Sequence, residues 1–207
     1  MPDASAANSA LVAAARHLRR VDPQLAVVIE QVGPCSLRPQ RGAFRNLVEA
    51  IVSQQISGQA AGAILGRFQA LFPGRAFPSP TKVLAVPADR LRGAGLSNRK
   101  AAYVLDLAAH FADGAIRPAR FPRLADDEIV EQLIQVKGVG RWTAEMFLIF
   151  CLNRLDVLPV DDLGLRKGVQ KTYRLRRLPD AETVERLAVP WHPYCTVATW
   201  YLWRSLK

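Results

Sequence analysis

The sequence predicts an all-α fold built from roughly ten short helices. Apolar residues recur at helical spacing along most of the 207 residues. No segment sustains the apolar–polar alternation of a half-buried strand, and no internal repeat has the period of a solenoid. Half of the residues are hydrophobic and 22% are charged, which is typical of a globular protein with one domain or two lobes that share a core.

Short turns separate the predicted helices. Residues 1–9 are small and polar and predict a disordered leader. A helical stretch over residues 11–32 is broken by a turn at Asp22-Pro23. Further helices are predicted within residues 44–71 (divided at 54–59), 88–91, 98–111, 128–135, 142–151, 163–173, 181–188 and 194–205. Asp126 is the predicted N-cap of the helix over 128–135.

The chain is strongly basic, with 28 Lys and Arg against 18 Asp and Glu and a net charge of +10. Such an excess favours a polyanionic partner, either nucleic acid or an anionic membrane surface, although it also fits the solvated faces of an arginine-rich protein. No apolar run reaches the roughly 18 residues of a membrane-spanning helix. The first ten residues lack the basic region of a secretory signal. We therefore expect a cytoplasmic or otherwise intracellular protein without a membrane partner.

The three cysteines, Cys35, Cys151 and Cys195, are far apart and odd in number. This pattern argues against a disulfide framework, and it contains no C-x-x-C pair for zinc or redox chemistry. We expect the three thiols to pack as small hydrophobic groups. The sequence assigns no role to His192.

A glycine-rich turn at residues 137–140 is the most informative motif. An apolar helix ends, Gly138 and Gly140 bracket Val139, and a second apolar helix begins at once. Both glycines are expected to supply positive φ, while Val139 fixes the turn between the helices. The N–H groups that open the second helix then form an anion site, to which Lys137 and Arg141 add charge. An ordinary helical hairpin with a glycine stop is the alternative.

With Trp142 and Thr143 after the glycines, residues 133–144 resemble the helix-hairpin-helix DNA glycosylase superfamily, and within it the 3-methyladenine DNA glycosylase II branch. The similarity runs from about residue 14 to the C-terminus, with the hairpin over 128–151 and no extra N-terminal mixed domain. It implies two helical lobes with a cleft between them. It also implies a monomeric enzyme that acts on double-stranded DNA containing damaged bases, flips the base out, and hydrolyses the N-glycosidic bond of alkylated bases such as 3-methyladenine and 7-methylguanine.

The same resemblance implies that Asp162 is catalytic and that Asp161 caps the following helix. Residues 158–165, LPVDDLGL, occupy the place where the family carries its aspartate after the hairpin. Cleavage of an N-glycosidic bond develops oxocarbenium character on the sugar, which an ionised carboxylate stabilises directly or through a positioned water. Two aspartates before a helix also suit simple capping, which is the alternative.

By position, the resemblance places Trp142 and Trp200 at the walls of the base pocket. Electron-rich indole faces suit the positive charge of an alkylated purine through a cation–π interaction. Met146 stands where some relatives carry an aromatic residue. The other aromatic residues near the C-terminus, Trp191, Tyr194 and Trp203, are expected in the core.

The segment 47–57 resembles the loop with which the family fills the gap left by a flipped base. Gln55 occupies the position of the intercalating residue and Ile56 is the apolar substitute, whereas a polar helix break at the surface is the alternative. The residues expected to contact phosphate are Lys137, Gly138, Val139, Gly140, Arg141 and Thr143. The basic residues of 166–177 are expected to approach the DNA backbone, or else to form a solvated face.

Two departures from the superfamily limit the chemistry. Bifunctional members carry a nucleophilic lysine two residues after the second glycine, where this chain has Trp142, so the resemblance implies a monofunctional enzyme. Cys195 stands alone near the C-terminus, so no iron–sulfur cluster or other cofactor is expected. Some relatives bind a monovalent cation at the hairpin carbonyls. Two alternatives stay open: a glycosylase for uracil, a mismatch or an oxidised purine, and a non-catalytic damage-sensing DNA-binding protein.

Overall fold

The computed structural model describes residues 4–40 and 42–207, and within these ranges the chain is helical without any strand. The all-α prediction is therefore confirmed. None of the helices in the described residues is both long enough and apolar enough to cross a membrane. The helices are α1 (Ala4–Val21), α2 (Pro23–Val32), α3 (Ala43–Ser53), α4 (Gly58–Ala70), α5 (Pro80–Leu84), α6 (Ala88–Gly93), α7 (Asn98–Ala112), α8 (Asp126–Leu133), α9 (Arg141–Phe150), α10 (Leu163–Thr172), α11 (Ala181–Ala188) and α12 (Cys195–Arg204), with 3-10 helices at Pro118–Arg123 and Val189–Trp191.

The chain divides into two compact units. The terminal unit combines the residues up to Pro39 with Leu148–Lys207, and the central unit is Gln40–Phe147.

The terminal unit is organised around α12 and a buried aspartate. Residues 195–202 of α12 are all buried, and this helix packs against α2 and α10. Asp22 caps α2 by accepting the Leu25 N–H at 3.0 Å, and its second oxygen accepts the Trp191 indole N–H at 2.8 Å and the Tyr173 hydroxyl. Burial and the Asp22 carboxylate hold the pKa of Tyr173 well above its usual range, so Tyr173 remains a donor. These bonds satisfy a carboxylate that is only 5% exposed.

In the central unit, α7 packs against both α3 and α5. The apolar face of α3 carries Leu47, Val48, Ile51 and Val52, all fully buried. On α7, Val104, Leu107 and Ala108 are fully buried as well. Because its apolar face is committed to this core, α7 presents its polar residues to other parts of the unit.

Two local predictions are wrong. The predicted disordered leader is helical from Ala4 onward, while residues 1–3 lie outside the described residues. Asp126 is the first residue of α8 rather than its cap. The cap position is Ala125, whose N–H is accepted by the Glu128 carboxylate at 2.7 Å. The carboxylate three residues into the helix therefore provides the capping bond that the sequence assigned to Asp126.

Candidate functional site

The turn between α8 and α9 requires a glycine at position 138. Gly138 has φ +81°, and a Cβ there would lie 2.1 Å from a ring carbon of Tyr103. Val139 is 4% exposed, so it fixes the turn in the core as predicted. Any other residue at 138 would both strain the backbone and collide with the Tyr103 ring.

Gly140 behaves differently from Gly138, and the expectation that both supply positive φ is wrong for it. Positive φ is found at Gly138 and not at Gly140. A Cβ at Gly140 would meet no atom within 4 Å. The protein itself therefore has no steric need for a glycine here. Gly140 directly precedes the first turn of α9, whose N–H groups have no acceptors inside the helix. Because Gly140 has no side chain, an anion can approach these N–H groups closely.

Helix α7 supports the turn from behind. The Asp106 carboxylate accepts the Lys137 N–H at 2.9 Å, and its other oxygen lies 3.5 Å from the Lys137 ammonium. Asp106 follows Tyr103 by three residues, so both side chains lie on the same face of α7. The sequence analysis missed both residues, although their spacing marks a polar stripe on this helix.

The predicted wedge segment, residues 47–57, lies in the same unit, and its non-helical part, 54–57, is held by the same face of α7. The Lys100 ammonium donates to the carbonyls of Val52 and Gln54 at 2.6 and 2.7 Å. Desolvation lowers the pKa of Lys100. The Gln54 amide donates to the Gly138 carbonyl at 2.9 Å and ties the loop to the turn. The structure thus brings together two elements that the sequence predicted separately.

The wedge candidates themselves face solvent. Gln55 is exposed with φ +57°, an uncommon value for a residue with a side chain, and Ile56 is 37% exposed. Two polar contacts to Gln54, one through its carbonyl and one through its amide, hold this strained turn in place. The loop that carries Gln55 is therefore anchored through Gln54, and the Gln55 side chain itself is exposed.

Three of the six residues expected at phosphate are exposed, namely Lys137, Gly140 and Arg141. The side chains of Lys137 and Arg141 are 73% and 60% exposed. Arg141 forms long ion pairs, 3.8 Å to Asp127 and 3.7 Å to Glu145. Thr143 is 6% exposed, so we withdraw its side chain from the predicted phosphate ligands.

Asp162 is the N-cap of α10, and the expectation that Asp161 takes this role is wrong. Oδ1 of Asp162 accepts the Leu165 N–H at 2.6 Å, whereas Asp161 is exposed in the preceding turn. Asp162 is only 9% exposed. Its side chain lies at the N-terminal end of α10, where backbone N–H groups have no acceptors inside the helix. Capping and catalysis are compatible roles for one side chain here.

Trp203 is the partner of Asp162 that sequence reasoning missed. Its indole N–H donates to Asp162 Oδ1 at 2.7 Å, and its ring stacks on Phe150 with centroids 5.7 Å apart. A Cβ on Gly164 would lie 3.0 Å from both the carboxylate and the indole, so this glycine permits their approach. Trp203 is half-buried rather than a core residue. The 41 residues between the two partners leave no local signal of their contact.

The predicted pocket residues differ in accessibility. Trp142 is 47% exposed, and Met146, one turn further along α9, is half-buried. Trp200 is 6% exposed and belongs to the terminal unit. The Arg204 guanidinium already lies over its ring, 5.0 Å from the centroid. Trp142 is therefore exposed to solvent, whereas the Trp200 ring already contacts the positively charged side chain of Arg204.

The basic segment after Asp162 is only partly available to a partner. Arg166 donates to the Pro179 carbonyl at 2.6 Å, and Lys171 donates to the Ser205 carbonyl. The exposed basic residues of the segment are Lys167, Lys171, Arg174, Arg176 and Arg177. Arg166 and Lys171 therefore have structural roles that the sequence did not reveal.

Comparison with known proteins places these features in a family context. Residues 48–193 match the model of the HhH-GPD superfamily of base excision DNA repair proteins. DNA-3-methyladenine glycosylase 1 of Schizosaccharomyces pombe is 35% identical over 205 residues, which cover 96% of this chain and 89% of that protein.

Two solved structures match as well. The S. pombe 3-methyladenine DNA glycosylase in complex with abasic DNA superposes with a TM-score of 0.81 at 35% identity, covering 93% of this chain and 95% of that one. A Bacillus halodurans DNA-3-methyladenine glycosidase superposes with a TM-score of 0.84 at 36% identity, covering 91% and 86%.

Proposed function

The chain belongs to the HhH-GPD superfamily of base excision DNA repair proteins, and from this premise we propose that it is a monofunctional DNA glycosylase for alkylated bases. It binds DNA, takes the damaged base out of the helix and hydrolyses its N-glycosidic bond. The observation that carries the proposal is the Asp162 carboxylate, held by a helix N-terminus and by the Trp203 indole. The resemblance in sequence and the activities for which the relatives are named support the same reaction.

The hairpin binds the DNA backbone without reading bases. A phosphate lies at the first turn of α9, where Gly140 leaves room and the N–H groups act as donors. Lys137 and Arg141 add positive charge at accessible positions. Affinity should therefore fall as salt rises, since cations condensed on the DNA are released on binding.

The wedge loop stabilises the flipped state. Gln55 enters the gap in the stack and pairs with the orphaned base, while Ile56 supplies apolar contact. The contacts from Lys100 and Gln54 hold the loop in the exposed conformation before DNA arrives. Less conformational entropy is then lost when the wedge inserts.

The reaction is a hydrolysis at C1′ of the flipped nucleoside. The C1′–N bond breaks and its electron pair leaves with the base, which neutralises the positive charge of an alkylated purine. The sugar gains oxocarbenium character that the Asp162 carboxylate stabilises. Water adds to C1′ and loses a proton, so the products are a free base and an abasic site. Trp142 and Trp200 are the aromatic residues proposed to hold the base.

Release of free base from a panel of duplexes tests this function. Duplexes with 3-methyladenine or 7-methylguanine should release base, while uracil, mismatched and 8-oxoguanine duplexes should not. Preferential release from one of the latter would assign another lesion, and no release from any duplex would favour a damage-sensing protein. We also propose that the protein acts inside the cell and as a monomer. Sedimentation of the free protein and of its DNA complex would measure the oligomeric state.

A further inference from the structure

Three side chains with metal-binding chemistry meet in the terminal unit, at the start of α12. The Asp156 carboxylate lies 2.8 Å from Nδ1 of His192. Sγ of Cys195 lies 3.5 Å from Nδ1 and 3.7 Å from Nε2 of the same ring. One potential ligand atom from each residue lies within 4.8 Å of the other two. The sequence places two of these three residues close together, since His192 and Cys195 are three residues apart, but it does not show the approach of Asp156.

The backbone holds these residues in place. Cys195 N–H donates to the other oxygen of Asp156 at 3.2 Å. On either side of Asp156, the Leu155 carbonyl accepts the Thr196 N–H and the Val157 N–H donates to the Thr196 hydroxyl, each at 3.0 Å. The segment that carries Asp156 is thus fixed to the first turn of α12. Ligand groups that are fixed before binding lose little conformational entropy when a metal arrives.

We propose that Asp156, His192 and Cys195 bind a zinc ion, with water completing a tetrahedral set. Sulfur, imidazole nitrogen and carboxylate oxygen are the donors that zinc takes in proteins. Zinc bonds of about 2.3 Å to sulfur and about 2.0–2.1 Å to nitrogen give a near-tetrahedral angle when the two donors are about 3.5 Å apart. The His192 side chain is 53% exposed, so its ring can turn a nitrogen from the carboxylate toward the metal.

The electrostatics of the cluster favour a cation. A thiol that coordinates zinc gives up its proton, so the Cys195 sulfur and the Asp156 carboxylate would each bring a negative charge to the ion. His192 adds a nitrogen donor.

The proposed zinc ion has a structural role and does not take part in cleavage of the N-glycosidic bond. Asp156 precedes the loop that leads to Asp162, and α12 carries Trp203, the partner of Asp162. A zinc ion would link the two segments that present the candidate catalytic carboxylate and its donor. We therefore expect the ion to stabilise the terminal unit.

Cobalt(II) titration of the full-length protein tests the proposal. We expect a thiolate-to-cobalt charge-transfer band that one equivalent of zinc removes. Cys195→Ser should abolish the band, and the exposed-site variant His192→Gln should weaken zinc binding by roughly 100-fold. Cys35→Ser, matched as a buried thiol of the same unit, should bind like the parent.

Zinc should also raise the melting temperature of the parent but not that of His192→Gln. Circular dichroism of each variant separates a lost ligand from a lost fold. A cobalt complex without the charge-transfer band, or the same band in Cys195→Ser, would overturn the proposal. Asp156 would then serve only as the acceptor of the Cys195 N–H and the hydrogen-bond partner of His192.

Discussion

The hairpin of the central unit and the Asp162 site of the terminal unit are built on opposite principles. The hairpin presents backbone N–H groups, and its key residues are two glycines. The absence of a side chain at Gly138 makes room for the Tyr103 ring, whereas Gly140 borders open space. The Asp162 site presents one side chain, oriented by an indole 41 residues away. Changes in the hairpin should therefore alter DNA affinity or folding, whereas changes around Asp162 should alter the rate of the bound complex.

The two glycines give the largest expected contrast. Gly138→Ala should destabilise the protein by about 3 kcal/mol, because a methyl group at positive φ must displace the Tyr103 ring. Gly140→Ala should keep the parent's stability and lose about 10-fold or more in DNA affinity, since its methyl group meets only the DNA backbone. Urea unfolding and fluorescence anisotropy measure the two effects. Equal stability of the two variants would remove the distinction between these glycines.

Trp203 tests whether orientation of the carboxylate affects the rate. Trp203→Phe keeps an aromatic ring beside Phe150 but removes the N–H donor, so kcat should fall about 10-fold while KM changes little. Trp191→Phe is the matched control, because it removes an indole bond to the buried Asp22. The control should lose stability without a change in kcat. If both variants lose only stability, Trp203 has no part in catalysis.

Lys100 tests whether the wedge is held in advance. Lys100→Met removes the bonds to Val52 and Gln54, so base release from a paired duplex should fall about 5-fold. The loss should shrink for a lesion opposite an abasic position, where flipping costs less. Lys82→Met, at an exposed lysine of the same unit, is the control. An equal loss on both duplexes would mean that Lys100 serves the fold alone.

Arg204 should give the smallest effect. Its guanidinium lies over Trp200 and repels any cationic base that stacks nearby. Arg204→Leu should strengthen inhibition by a cationic methylated purine about 3-fold and leave a neutral purine unchanged. Inhibition constants of the two free bases provide the comparison. The same change for both bases would show that Trp200 does not discriminate by charge.

The contrast between the hairpin and the Asp162 site also explains how much of each the sequence predicts. The hairpin is encoded in consecutive residues, so the burial of Val139 and the positive φ of Gly138 were predictable. The sequence does not predict the role of Gly140, because the space around a residue without a Cβ is visible only in the folded structure. Trp203 was assigned to the core because helical spacing identifies a face of α12 but not its distant partner.

Support from α7 was missed for a related reason. Polar residues on a helix usually face solvent, and the spacing of Lys100, Tyr103 and Asp106 does not reveal that carbonyls and a turn lie opposite them. The two adjacent acids posed another problem, since either Asp161 or Asp162 suits a helix cap by residue type alone. Tertiary contacts decide such cases.

The most direct test of the central claim compares binding with base release in Asp162→Asn. Asparagine can still accept the Leu165 N–H and so preserves the cap of α10. We predict that this variant binds methylated duplex DNA with the parent's affinity, while single-turnover base release at saturating protein falls about 100-fold or more. Release at the parent's rate by the saturated variant would contradict the assignment of Asp162 as the catalytic carboxylate.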